Sequence, residues 1–160
     1  MKDNSTVKEK SLNPNQGAVR SNPKALASEE KFAALDERIM SALHAASEKK
    51  AIETVVLDLR EIATFTDYFV ITSGANQRQV QAISDEVVDT LKKSGTPAAR
   101  VEGYRTAEWI LLDYGDFIVH VFEDKSRRFY DLERLWREGK RVELPADLVN
   151  ESVSSLRRES

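Results

Sequence analysis

The chain contains no cysteine. A disulfide framework, a thiolate zinc site and a cysteine-held iron–sulfur cluster are therefore excluded. Histidine is nearly as scarce, with only His44 and His120 in 160 residues. A zinc site would need both of them plus carboxylates, an uncommon ligand set, so neither a metal nor a cofactor is expected. Six glycines and four prolines are too few for a fibrous or low-complexity chain. Long apolar runs are missing too. The longest are Trp109–Leu112 and Phe117–Val119, extended by His120–Phe122. A membrane span needs about 20 apolar residues and a signal-peptide core about 7–15. The amino-terminal segment carries one Arg and two acids, unlike an Arg-rich, acid-poor transit peptide. The expectation is a cytoplasmic protein with no membrane contact.

Excess charge of one sign is also lacking. The net charge of −3 is no signature of a nucleic-acid binder. It is unevenly spread, however. Residues 1–28 carry five basic and two acidic side chains, residues 29–145 carry 17 and 22, and residues 146–160 carry two and three. The domain is thus mildly acidic behind a basic tail, a field that favours basic protein surfaces over phosphate backbones.

At 41% hydrophobic and 32% charged, the chain suits one globular domain. All twelve Phe, Tyr and Trp residues lie between Phe32 and Trp136. Residues 1–28 have none and are rich in Asn, Ser, Lys and Pro, so they cannot bury enough apolar surface to offset their ordering entropy. The predicted organisation is a disordered basic tail at 1–28, an α/β domain at 29–145 and a frayed tail at 146–160.

Apolar spacing predicts a helix over about 29–50, capped by Ser28, with Phe32, Leu35, Ile39, Leu43 and Ala46 on one stripe. Strands follow at Val55–Leu59 and Tyr68–Thr72, the second apolar on both faces and hence central. A helix over about 77–93 opens at Asn76, with Gln79 at the capping-box position, and stops at Gly95 and Pro97. Arg100–Glu102 is a short strand. A last helix is predicted over about 128–137, with Phe129, Leu132, Leu135 and Trp136 as its apolar residues. The fold class is α/β, one mixed sheet of about five strands flanked by helices.

The clearest element is a hairpin, Trp109–Tyr114 and Phe117–Phe122 around Gly115-Asp116. Gly at the first central position signals a type II′ turn, and a two-residue turn fixes the register. Tyr114, Leu112 and Ile110 then pair with Phe117, Val119 and Val121 on a wholly apolar face that must be core. The other face sets Asp113 opposite Ile118, Leu111 opposite His120 and Trp109 opposite Phe122. Asp113 and His120 are diagonal neighbours at roughly 7–8 Å, so a structural His120 is expected to pair with Asp113 or a backbone group. Trp109, at the strand end on this second face, is a candidate hot spot for a protein partner, because exposed apolar patches on soluble domains usually mark interfaces.

Signs of catalysis are weak. Ser73-Gly74 before a helix resembles the phosphate-holding turn of nucleotidyltransferases, but that chemistry needs two carboxylates, two residues apart on one strand, to hold metal. Glu102 has Arg100 and Tyr104 at those spacings, and Asp113 and Asp116 straddle the turn. No nucleophile elbow surrounds a serine, so Ser73, His120 and Asp113 make no convincing triad.

One resemblance covers residues 30–138. Thr66-Asp-Tyr-Phe-Val-Ile-Thr-Ser-Gly74 is similar to the first signature of the ribosomal silencing factor, or Iojap-like, family. The second signature is matched by Glu102-Gly103, Ala107, Trp109-Ile-Leu-Leu-Asp-Tyr-Gly-Asp116, His120-Val-Phe122, Arg128, Tyr130, Leu132-Glu133 and Leu135-Trp136. The resemblance implies a nucleotidyltransferase-like topology without the catalytic carboxylates, and a non-enzymatic translational repressor. Its implied partner is the large ribosomal subunit, through protein fourteen, a basic β-barrel protein of the intersubunit face. Bound there, it would block joining of the small subunit; a homodimer is a further possibility. Face and charge nominate Trp109, Leu111 and Asp113, with Glu102 and Glu108 nearby, as the contact surface. The alternative function is a nucleotide-binding or nucleotidyl-transferring enzyme.

Overall fold

The computed structural model describes residues 35–148. The tails expected at 1–28 and beyond 148, and the Ser28 cap, lie outside the described residues. The elements run α1 (Glu37–Glu48), β1 (Ile52–Asp58), β2 (Tyr68–Gly74), α2 (Gln77–Lys93), β3 (Arg100–Glu102), β4 (Trp109–Asp113), β5 (Phe117–Glu123), α3 (Asp124–Tyr130), α4 (Leu132–Leu135) and β6 (Lys140–Arg141). The six strands form one sheet in the order β3-β4-β5-β2-β1-β6. Only β2 and β5 pair parallel, through the α2 crossover; the other pairs are antiparallel.

β2 is central because it is apolar on both sides, and all seven of its residues are buried. One face of the sheet carries α1 and α2. Val80, Ile83, Val87 and Leu91 of α2 are fully buried there with Ile39 and Leu43 of α1, each contributing about 1.5–3 kcal/mol relative to exposure. Asn76 Oδ1 accepts from the Gln79 backbone N–H at 2.9 Å, as its cap position predicts. Gln79 reaches back to the Ala75 N–H and also donates to the Lys49 and Lys50 carbonyls. One side chain thus ties the start of α2 to the end of α1.

Several boundaries differ from the sequence expectation. The helix predicted over about 29–50 is broken at Leu35–Asp36, where Asp36 accepts from the Arg38 N–H and α1 starts at Glu37; residues 29–34 lie outside the described residues. β1 begins at Ile52 through a bulge, with Glu53 at φ 53° and the register shifting before Val55. The predicted last helix starts earlier, at Asp124, and breaks at Asp131, which sits at φ 50°, ψ 53°. Aspartate tolerates this left-handed conformation better than most residues, so helical spacing passes through the break unnoticed. The sixth strand pairs two residues with β1, too few to leave a period-two signature. Past Pro145, the Leu148 N–H donates to the Pro145 carbonyl and its side chain is buried in the main core.

The hairpin register is the predicted one throughout β4 and β5. Gly115 has φ +85°, but the turn closes by Asp116 N–H donating to the Tyr114 carbonyl, an i→i+2 bond. Positive φ at the centre of such a γ-turn requires glycine. Tyr114 stacks on Phe117 with ring centroids 4.9 Å apart. Its hydroxyl is buried without a partner, and burial pushes the phenol up to about 12. Tyr114→Phe removes that orphaned group, and urea unfolding should show a neutral to stabilising change of up to about 1 kcal/mol.

Candidate functional site

Strand alternation sends Ile110 and Leu112 into the main core and Trp109, Leu111 and Asp113 to the opposite face. The second face is only partly covered. α3, α4 and the 59–67 loop lie over a smaller cluster of Leu57, Leu59, Phe69, Ile71, Ile118, Phe122 and Leu132, with Trp109, Leu111 and Trp136 half-buried at its margin.

Aromatic rings run continuously across this face. Phe129 contacts Tyr130 at 5.0 Å between centroids, Tyr130 contacts Trp109 at 4.9 Å, and Trp109 stacks on Phe122 at 5.0 Å. Trp109 then meets His120, His120 meets Phe69 at 4.4 Å, and Phe69 and Phe65 both pack on Trp136. The middle of the row is buried and the ends are open: Phe129 is 81% exposed, Phe65 56% and Tyr130 48%, and Leu135 of α4 is 73% exposed. An exposed aromatic patch continuous with a buried cluster is the anatomy of a protein interface.

The expected Asp113–His120 pair does not form. His120 is buried, and its Nδ1 accepts the Trp109 indole N–H at 3.0 Å. Asp113 instead accepts from the Gly115 N–H and from Arg100. His120 has two diagonal neighbours on β4, and a twisted strand pair brings one diagonal closer than the other. Burial lowers the His120 pKa to about 3, so the ring is neutral at physiological pH.

Trp109, Leu111, Glu102 and Gly103 line one shallow groove of about 220 Å³. Glu102 faces Leu111 across the β3–β4 pair. Asp113 lies further along β4, and Arg100 bridges it to Glu102 at 3.4 and 3.0 Å, so two of the three nominated acids share a cation. Glu108 is exposed beside Trp109. The structure therefore brings Trp109, Leu111 and Glu102 together, with Asp113 and Glu108 at the rim. Gly103 holds the groove's backbone: it has φ +82°, and a Cβ there would lie 2.1 Å from the Trp109 carbonyl oxygen. Gly103→Ala should cost about 2 kcal/mol or more in urea unfolding, because strain and a backbone clash combine.

Sequence spacing placed Phe129 and Leu135 among the apolar residues of a packed helix. In the structure both are exposed, Phe129 on α3 before the break at Asp131 and Leu135 on α4 after it. Tyr130 joins the site through its ring contact with Trp109; its only sequence signal was its place in the second family signature.

The phosphate-turn idea meets a different arrangement. Ser73 is buried, and its Oγ accepts from Arg127 Nη1 at 2.9 Å. Arg127 also pairs with both Glu133 oxygens, at 3.1 and 2.9 Å, and donates to the Ile52 carbonyl. Gly74 packs closely on α2, where a Cβ would meet Val80 at 3.1 Å. Ser73 pairs in register with Phe122, not with His120, so the triad is not assembled. Among the described residues, no three His, Asp or Glu side chains cluster as metal ligands, and no helix is long and apolar enough to cross a membrane.

Comparison with known proteins accords with this geometry. The family described as "Ribosomal silencing factor during starvation" matches residues 33–160. The ribosomal silencing factor of Halalkalibacterium halodurans is 40% identical over 108 residues, covering 68% of this chain and 92% of its own. That of Bacillus subtilis is 38% identical over 103 residues, covering 64% and 87%. A solved structure from Bacillus halodurans superposes with a TM-score of 0.61 at 40% identity, covering 68% of this chain and 98% of its own. With a family match across most of its length and the same fold in a relative, the chain belongs to the ribosomal silencing factor family.

Proposed function

We propose that this chain binds the large ribosomal subunit with its second sheet face and blocks joining of the small subunit, repressing translation without catalysis in the cytoplasm. The observation that carries the proposal is the half-buried Trp109 in a ring row whose ends are solvent-exposed. Such a face needs a partner, while the α1–α2 face already closes the main core. Protein fourteen of the large subunit is the proposed contact. Its basic surface suits Glu102, Glu108 and Asp113 around an apolar anchor. The tie of Arg100 to both Glu102 and Asp113 shifts the expected weight of affinity toward Trp109 and Leu111.

Co-sedimentation of the full chain with purified large subunits through a sucrose gradient tests the binding step. The chain should travel with the large subunit and shift subunit mixtures away from joined ribosomes. The enzyme alternative predicts heat on titration with ATP and magnesium; a silencing factor gives none. The occupation of Ser73 by Arg127, itself paired with Glu133, supports the second result. A homodimer would cover the same apolar face, and sedimentation velocity on the free chain reads it directly.

A further inference from the structure

We infer that His120 is a positioning residue for Trp109: its Nδ1 accepts the indole N–H and fixes the ring in the orientation that meets the partner. This rests on the proposed docking through the Trp109 face. The indole is stacked on Phe122 and against Tyr130. Its one polar atom points inward to His120 at 3.0 Å. The part of Trp109 left to a partner is therefore carbon edge. The matching pocket is apolar and does not need an acceptor for the indole.

The histidine is built for this role at a visible cost. With Nδ1 accepting, the ring proton sits on Nε2, and Nε2 is buried without a partner among the described residues. A buried orphan donor is disfavoured. The other tautomer would set N–H against N–H and break the bond to Trp109, and so would a proton added at Nδ1. Phe69 packs edge-on against the ring at 4.4 Å, and Phe122 lies parallel to it at 6.3 Å. These neighbours hold the imidazole in place. An anchor ordered before binding loses less freedom on docking.

The test uses the full chain as wild type, His120→Leu, His120→Asn, Trp109→Phe and the double variant Trp109→Phe/His120→Leu. Leucine removes the acceptor and keeps an apolar core; asparagine restores an oxygen where Nδ1 stood. In the free wild-type chain, nitrogen NMR should show an imidazole protonated at Nε2 and a Trp109 indole proton that exchanges slowly with solvent. Trp136→Phe identifies which indole signal is which. His120→Leu should speed that exchange about tenfold or more and weaken large-subunit binding about 5- to 20-fold, with His120→Asn recovering much of both. On the Trp109→Phe background, His120→Leu should change binding by less than about twofold, since the indole it acts through is gone. Fast indole exchange in the wild type, or additive losses in the double variant, would overturn the positioning role. If Trp109→Ala leaves binding intact while wild-type exchange is slow, the docking surface is wrong and the histidine lock is not. Should His120→Leu fail to fold, the wild-type tautomer and exchange rate decide alone.

Discussion

Replacing Trp109 with alanine is expected to weaken binding to the large ribosomal subunit by about 30- to 1000-fold, the usual effect of removing an aromatic anchor at an interface. Trp109 fits that role because its environment is split. One side stacks on Phe122 and bonds His120, while the ring margin opens onto the groove with Glu102 and Leu111. Truncation therefore removes contact area at the partner and also disturbs the row that leads to Tyr130 and Phe129. The fold should survive, losing less than the roughly 3–5 kcal/mol typical of a core Trp, because the ring is half-buried and the main core lies on the other sheet face. Denaturant unfolding and co-sedimentation of the same variant separate the two effects. A variant that unfolds readily would make Trp109 a core residue, and one that folds and binds as the wild type would remove it from the interface.

The second large effect is on stability. Arg127→Leu should cost about 3 kcal/mol, toward the lower end for breaking a buried pair because Glu133 keeps some solvent and a distant second cation. Arg127 is 8% exposed and binds Glu133, Ser73 and the Ile52 carbonyl together. It thus joins α3, α4, β2 and the β1 bulge. Removing it takes the close cation from the Glu133 carboxylate and the Arg127 donor from the Ser73 hydroxyl, while the Ile52 carbonyl keeps the Thr72 hydroxyl at 3.3 Å. Arg141, 3.7 Å from Glu133, offers partial relief. Burial alone would raise the Glu133 carboxyl; the hydrogen bonds and charge of Arg127, with Arg141, outweigh it and hold the group below its ordinary value. A lowered folded-state value means the unfolded chain binds the proton more readily in acid. The stabilisation is complete above the ordinary glutamate range and fades as pH falls through the lowered value. In urea unfolding as a function of pH, Arg127→Leu should lower stability at neutral pH and flatten the acid limb. A variant as stable as wild type at pH 7 would show the pair to be dispensable.

What could be read from sequence followed the reach of local rules. A two-residue turn fixes register, so the β4–β5 pairing and the division into a core face and a second face were predictable residue by residue. The α2 cap was equally legible, because Asn76 and Gln79 act within one turn. His120 was placed on the right face, but its partner depended on strand twist, and the bond went to Trp109 instead of Asp113. The break at Asp131 escaped notice because apolar residues at helical spacing look alike whether the helix continues or bends. Phe129 and Leu135, on either side of that residue, face solvent, which sets how far the site extends. Nothing local in the sequence marks Arg127; only the fold brings Ser73 and Glu133 to it.

The most direct test of the central claim is light scattering of purified small and large subunits mixed in the presence of increasing amounts of this chain. The account predicts a dose-dependent loss of joined ribosomes with wild type, saturating near one chain per large subunit, and little loss with folded Trp109→Ala at the same concentrations. Undiminished subunit joining at saturating wild-type chain would contradict it.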